Sequence, residues 1–279
     1  SDLPAGATIT GAADFWLVRT DAEGGLLWNK TYGGWANDAA SAVAPMPDGG
    51  FVLAGTADQS SGPAGPVDYD CWLVRTTSTG EVLWSETYGG SGSDSASAVV
   101  VLAGGGFALA GETASTVLPG FDKMGAGTDM LLIRAGPTGE LLWGKTYGGN
   151  SGDRAIALAA LADGGFALAG STQSSDLPAG TQTAGGRDIW LVRTDASGEL
   201  LWNKTYGGKG SDDPGGMVAT QDGGFALAGT GFSNDLPGGA LHAGSYDFLL
   251  VRTNGSGDVL WGKAYGGSKV ERAYALAAM

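Results

Sequence analysis

At 279 residues and 43% hydrophobic content, the chain can build one large β domain or two small ones, and it is too apolar for wholesale disorder. Its 52 glycines stand beside only 10 prolines and follow no three-residue period, which excludes collagen and points to tight turns between short strands. With 29 acidic against 15 basic side chains the formal net charge is -14, a field that repels nucleic acid and suits cations or neutral glycans.

In chain order, residues 14–20 and 26–32 read as two strands. Residues 38–88, 94–147, 153–206 and 212–265 each read as four, and 271–279 opens a further unit. In the unit 153–206, a small apolar strand (153–161) is followed by the turn Ala162-Asp163-Gly164-Gly165, where glycine supplies positive φ at no steric cost. Phe166–Gly170 is a short apolar strand with both faces buried. A polar loop leads to residues 188–194, whose alternation puts Asp188, Trp190 and Val192 on one face and Ile189, Leu191 and Arg193 on the other. The turn Asp195-Ala196-Ser197-Gly198 then feeds a last strand ending at Tyr206. No stretch sustains a 3.6-residue apolar period, so helix should be nearly absent.

Three signatures repeat. Leu-Trp-x-Lys/Glu-Thr/Ala-Tyr-Gly-Gly occurs five times, with Trp28, Trp84, Trp143, Trp202 and Trp261 at intervals of 56, 59, 59 and 59 residues. Asp14, Asp70, Asp129, Asp188 and Asp247 lead to Arg19, Arg75, Arg134, Arg193 and Arg252 in the second. The third, Gly-Gly-Phe-Ala/Val-Leu-Ala-Gly, occurs only four times, at Phe51, Phe107, Phe166 and Phe225. Four strands per unit, repeated radially, predict an all-β fold, a five-bladed β-propeller forming a single domain over 1–279. With strands lettered A to D outwards, the innermost strand of so narrow a ring needs small side chains. Ala40 and Ala42, Ala96 and Ala98, Ala155 and Ala157, Pro214 and Gly216, and Ala273 and Ala275 meet that need.

The hairpin Leu-Val-Arg-Thr-Asp-Ala-Ser-Gly-Glu-Leu-Leu-Trp at 191–202 resembles the tryptophan-docking repeat of quinoprotein-type (PQQ-like) propellers. The resemblance covers essentially the whole chain and implies a propeller in which each of Trp28, Trp84, Trp143, Trp202 and Trp261 packs between blades. It does not bring the quinone chemistry. Those enzymes use about eight blades and a vicinal Cys pair, whereas this chain has five repeats and one Cys. No cofactor is expected. Five-bladed lectins of the tachylectin type share the blade count only.

The repeats are out of phase with the termini. The closing blade should combine 271–279 with 14–32, and its B strand, a fifth Gly-Gly-Phe motif, is nowhere in the sequence. An empty place there would separate its neighbours by about 10 Å and leave two rows of backbone groups unpaired. Three fillings stand open: residues 7–10 folding back, a chain that continues past either end, or a strand donated by a neighbouring subunit.

Candidate sites follow the repeat. Asp38, Asp94, Asp153, Asp212 and Glu271 open strand A and are weak candidates for a cation at one mouth of a channel; the competing role is to accept hydrogen bonds from their own Gly-Gly loops. The Asp and Arg that bound strand C should be pairing groups between strands or blades. The B–C loops (58–69, 113–128, 172–187 and 231–246) are long and differ among units, so recognition would sit there, near Tyr69, Phe121, His242 and Tyr246. His242 is the only histidine, which leaves little for a zinc site, and no local signature supports a Ser-His-Asp triad. No catalytic residue is assigned.

Asn29, Asn203 and Asn254 head N-x-S/T sequons expected on exposed positions, and they are the glycosylation candidates. Cys71 is alone and cannot form an internal disulfide, and no window approaches 18 apolar residues, so membrane insertion is not expected. The chain starts at Ser1 without a methionine or an apolar leader, which reads as a processed, trimmed or partly observed product. Together these features predict a non-catalytic, extracellular or cell-surface structural or interaction propeller. It would associate with itself or with another surface protein, as a filament subunit completed by a neighbour's strand. The alternative is a monomeric lectin-like propeller that binds a ligand or glycan through its B–C loop face.

Overall fold

The computed structural model describes residues 13–59, 68–118, 121–122, 127–239 and 245–277. Strand follows strand along the chain. β1 (Phe15–Thr20) and β2 (Leu26–Tyr32) come first, followed by β3 (Ala39–Pro45), β4 (Phe51–Asp58), β5 (Tyr69–Thr76) and β6 (Val82–Tyr88). The second four-strand repeat holds β7 (Asp94–Val101), β8 (Phe107–Thr113), the short β9 (Phe121–Asp122), β10 (Asp129–Ala135) and β11 (Leu141–Tyr147). Then come β12 (Asp153–Ala160), β13 (Phe166–Thr172), β14 (Asp188–Thr194), β15 (Leu200–Tyr206), β16 (Asp213–Ala219), β17 (Phe225–Gly231), β18 (Asp247–Thr253) and β19 (Val259–Tyr265). No α-helix occurs among the described residues. Two single turns of 3-10 helix, Pro178–Gly180 and Pro237–Gly239, lie in loops.

Each complete repeat forms its own sheet with strands in sequence order, β3-β4-β5-β6, β12-β13-β14-β15 and β16-β17-β18-β19. The second adds β9 beyond β11, in the order β7-β8-β10-β11-β9. Strands β3 and β4, β12 and β13, β13 and β14, and β14 and β15 pair antiparallel, as expected of neighbours in sequence within one sheet. In the repeat 153–206, Gly164 and Gly198 take the positive φ that their turns require (86° and 79°). Asp195 organises the second turn by accepting from the Ser197 and Glu199 amides at 2.8 and 2.9 Å.

Two irregularities recur that periodicity does not reveal. Strand A bulges at Ala40/Ala42, Ala155/Ala157 and Pro214/Gly216, so the residue between each small pair has no partner opposite it. A second bulge in the C–D ladder at Arg75/Thr76, Arg193/Thr194 and Arg252/Thr253 turns one leucine per repeat outwards, among them Leu83, Leu201 and Leu260.

The core lies between consecutive sheets. Ala167, Ala169, Ile189 and Leu191 of one sheet meet Phe225, Leu227, Leu249 and Val251 of the next in a single buried cluster. With sheets covered on both faces, β13 and β14 are buried at every position, and alternation gives way to continuous burial. The glycine that ends each Phe-Ala-Leu-Ala-Gly strand permits this close approach. A Cβ on Gly55, Gly170 or Gly229 would stand 2.8, 2.7 or 3.0 Å from Phe15 Cζ, Met130 Cε or Ile189 Cδ1.

The two ends of the repeat array differ from the rest. β1 and β2 pair only with each other, in a two-stranded sheet. Residues 271–277, expected as an A strand, carry no strand beyond a bridge from Val270 to Tyr246. An A strand is held only by the B strand beside it, and among the described residues no B strand lies beside this segment. Residues 273–276 instead run close along Gly215 and Gly216, where a Cβ on Gly216 would meet Leu276 N at 3.0 Å. The chain divides into two compact units. The first runs to Leu109 and adds Thr113–Phe121 and Ile133–Trp143; the second holds Ala110–Glu112, Asp122–Leu132 and everything from Gly144.

Candidate functional site

The carboxylates that open strand A are turned onto their own loops. Asp38, Asp94, Asp153 and Asp212 each accept the amide of the second glycine of the preceding Gly-Gly pair, at 2.8–2.9 Å, and Glu271 does so at 3.1 Å. In three repeats a serine hydroxyl donates to the same oxygen: Ser115, Ser174 and Ser233, at 2.6–2.7 Å. Among the described residues no group of three or more His, Cys, Asp or Glu is placed to hold a metal ion.

The strand C aspartate lies beside each of these groups, with the first glycine of the pair between them. A Cβ on Gly207 would overlap Asp188 Oδ1 and stand 2.9 Å from Asp212 Oδ2; Gly89, Gly148 and Gly266 sit in the same way between their own two acids. Two carboxylates sharing a dry space disfavour ionisation. Burial pushes Asp188 up to about 6, against the pull of the Ala184 amide and with Asp212 and Asp235 adding to the rise. Burial also pushes Asp70 up to about 6, with Asp68 and Asp94 behind it, and it raises Asp153. The arrangement recurs from repeat to repeat, and in each the strand A acid holds the Gly-Gly loop closed.

The strand C arginines lock the A–B turn. Nη1 of Arg75, Arg193 and Arg252 donates to the carbonyl of the following threonine, and their Nη2 meets Asp48, Asp163 and Asp222 of that turn. Arg134, whose turn has no aspartate, reaches Gly105 O at 3.4 Å instead.

The tryptophans grip the next sheet. Trp28, Trp84 and Trp202 lie edge-on to Phe51, Phe107 and Phe225 at 5.6–6.0 Å, against the glycine of the next C–D turn. Four residues on, Tyr32, Tyr88, Tyr147 and Tyr206 donate to the carbonyls of Gly80, Gly139, Gly198 and Gly257 at 2.6–2.9 Å. Desolvation raises all four phenols, Tyr32 to about 12. Lys30 and Lys145 add ion pairs to Glu81 and Glu199 at 2.8 Å, and Lys204 pairs with Asp258. Trp143 is half-buried, and Trp261 is exposed.

Two sequon asparagines are buried, contrary to the exposure expected of them. Asn203 Oδ1 accepts from Trp190 Nε1 at 2.9 Å while its Nδ2 donates to Pro178 O at 2.9 Å, and Asn29 Oδ1 accepts from Trp16 Nε1 at 3.3 Å. An outer strand still has one face against its own sheet and B–C loop, and these residues lie there; an Asn203 Nδ2 engaged in this way carries no glycan in the fold. The signal was in the sequence, since each pair is separated by 13 residues. Asn254 is half-buried and organises its turn as Asp195 does, accepting from the Ser256 and Asp258 amides at 2.9 Å.

On the B–C loop face, Tyr246 stacks on Phe232 at 4.8 Å beneath Arg272, Phe121 pairs along β11, and Tyr69 starts β5. His242 and residues 7–10 lie outside the described residues. Asp176 Oδ1 and Asp235 Oδ1 tie two of these loops to the D–A loops through the Asn150 and Lys209 amides. Beside the first of these ties is an open cleft of about 230 Å³ lined by Glu112, Arg154, Gln173 and Arg187. No described helix is long and apolar enough to cross a membrane, which leaves membrane-spanning strands unaddressed.

No family model and no curated protein matches the chain. A solved structure, a protein of unknown function from Bacteroides caccae, aligns over 96% of this chain and 83% of its own length at 14% identity, with a TM-score of 0.44. At that similarity it assigns nothing to this chain.

Proposed function

We propose that the repeated sheets are the blades of a five-bladed β-propeller that acts as a non-catalytic structural module. In this reading it works outside the cell or on its surface, associating with itself or with another surface protein as a filament subunit whose incomplete blade takes a strand from a neighbour. The supporting observation is the edge of β1. The same strand in every complete sheet is paired on both sides, and there Trp190 is 0% exposed; among the described residues β1 is paired on one side only, and its equivalent Trp16 is 47% exposed. An unpaired edge bearing apolar side chains is a template for strand addition.

The test is negative-stain electron microscopy of concentrated protein, with and without a synthetic peptide of the sequence of residues 164–173. Fibres that shorten when the peptide is added support the reading. Isolated particles at all concentrations overturn it. The lectin-like alternative rests on the polar cleft between Glu112, Arg154, Gln173 and Arg187, and a glycan array would reveal it as selective binding lost in Arg187→Ala.

A further inference from the structure

What a repeat needs in order to fold recurs from one repeat to the next, so polar residues that break the repeat and meet in one place mark a use beyond folding. The cleft of about 230 Å³ described above is such a place, and all of its lining belongs to the second compact unit. Glu112 stands where the other repeats carry Thr56, Ser171 and Thr230, and Gln173 stands where they carry Asp58, Ala114 and Phe232.

Arg154 is the decisive departure. In three successive repeats the residue before strand C offers its carbonyl to the first residue of the next strand A: Thr128 to Asp153, Arg187 to Asp212 and Tyr246 to Glu271, at 2.6–2.7 Å. This shared backbone bond brings the second side chain of strand A beside the residue before strand C. Arg187 there pairs with Asp213 at 2.7 Å, and Arg272 lies over the Tyr246 ring at 5.7 Å. The third pair is Thr128 and Arg154, and a threonine offers a guanidinium neither charge nor ring. Among the described residues, neither an ion pair nor a side-chain hydrogen bond engages Arg154, which is exposed in the cleft with Gln173 and the half-buried Glu112.

We propose that this cleft binds a small hydroxylated carboxylate, the chemistry of a uronic acid residue, with Arg154 taking the carboxylate. The proposal deepens the lectin-like reading above and rests on it. A guanidinium meets a carboxylate with two parallel donors. Arg187 adds a second guanidinium to the lining, and Glu112 and Gln173 supply acceptors for ring hydroxyls. The volume lies below the about 300–1,000 Å³ of sites for drug-sized ligands, which suits a single sugar ring. Among the described residues no aromatic side chain lines the cleft, so charge rather than ring stacking selects the ligand. A doubly charged phosphate would meet Glu112 and the net charge of -14 with twice the repulsion that a carboxylate meets.

Isothermal titration calorimetry of the full chain with glucuronate, glucose and inorganic phosphate tests this. Glucuronate should bind at least about ten-fold more tightly than glucose, which keeps the ring and lacks the carboxylate. Thr128→Asp gives Arg154 the kind of partner that Arg187 has in the next repeat. It should weaken glucuronate binding about ten- to hundred-fold without loss of thermal stability, and Arg154→Gln should weaken it as much. Equal affinity for glucose, phosphate bound in place of glucuronate, or no binding of any of the three overturns the proposal. So does tight glucuronate binding that survives both substitutions. Array binding confined to neutral glycans would leave the lectin-like reading standing and remove this site. Glucuronate bound in solution with no glycan retained on the array would keep the carboxylate site and remove the lectin-like reading.

Discussion

Asp188 shows how far one side chain is governed by its surroundings. It is fully buried, accepts one amide bond from Ala184, and faces Asp212 across Gly207. Its carboxyl is pushed up to about 6, so between about pH 4 and 6 the folded protein holds a proton that the unfolded chain has released. Folded-state stability therefore falls as pH rises through that window and is lowest, as regards this group, above pH 6. Asp188→Asn keeps an acceptor for Ala184 and removes the charge facing Asp212. It should raise stability at pH 7 by about 1–2 kcal/mol and change little at pH 4. Thermal melts at the two pH values check this; a variant less stable at pH 7 would mean that the ionised carboxylate is needed.

At the scale of the element, the strand D tryptophan matters through what it lies on. Trp202 covers Gly257 and the edge of Phe225, whereas Trp261 has the same sequence context and stands 40% exposed. Trp202→Ala removes a contact between two sheets and should cost about 2–3 kcal/mol. Trp261→Ala in dilute solution should cost under about 0.5 kcal/mol. Urea unfolding of the two variants side by side decides the matter. Equal losses would mean that the two tryptophans are equally engaged.

For the whole molecule, the formal charge of -14 opposes any association of copies. Self-association by strand addition has to overcome this repulsion, which salt screens to a range of about 10 Å at 0.1 M and about 3 Å at 1 M. Assembly should therefore strengthen between about 0.02 and 0.5 M NaCl, measured as weight-average mass by light scattering. Assembly that weakens with salt would point to a contact dominated by opposite charges rather than by strand pairing and apolar burial.

The sequence by itself determined what is local or repeated: strand order, the turn glycines Gly164 and Gly198, the nearly helix-free fold, and the absence of a fifth Gly-Gly-Phe strand. Each follows from alternation, φ preference or self-similarity, which are properties of neighbours in the chain. The loop-binding role of Asp38 and its counterparts was also legible, because a carboxylate four residues beyond a Gly-Gly pair can reach back to its amide. Only the tertiary structure decided which repeated residue is used and which is left over. Trp16 and Trp190 carry one signature, as do Tyr206 and Tyr265, yet Trp190 and Tyr206 are buried while Trp16 and Tyr265 are about half exposed. Asn29 and Asn203 read as outer-strand sequons until the indoles of Trp16 and Trp190 were found on them. Burial and pairing depend on what another stretch of chain presents at that place, and a motif is the same whether or not its partner is there.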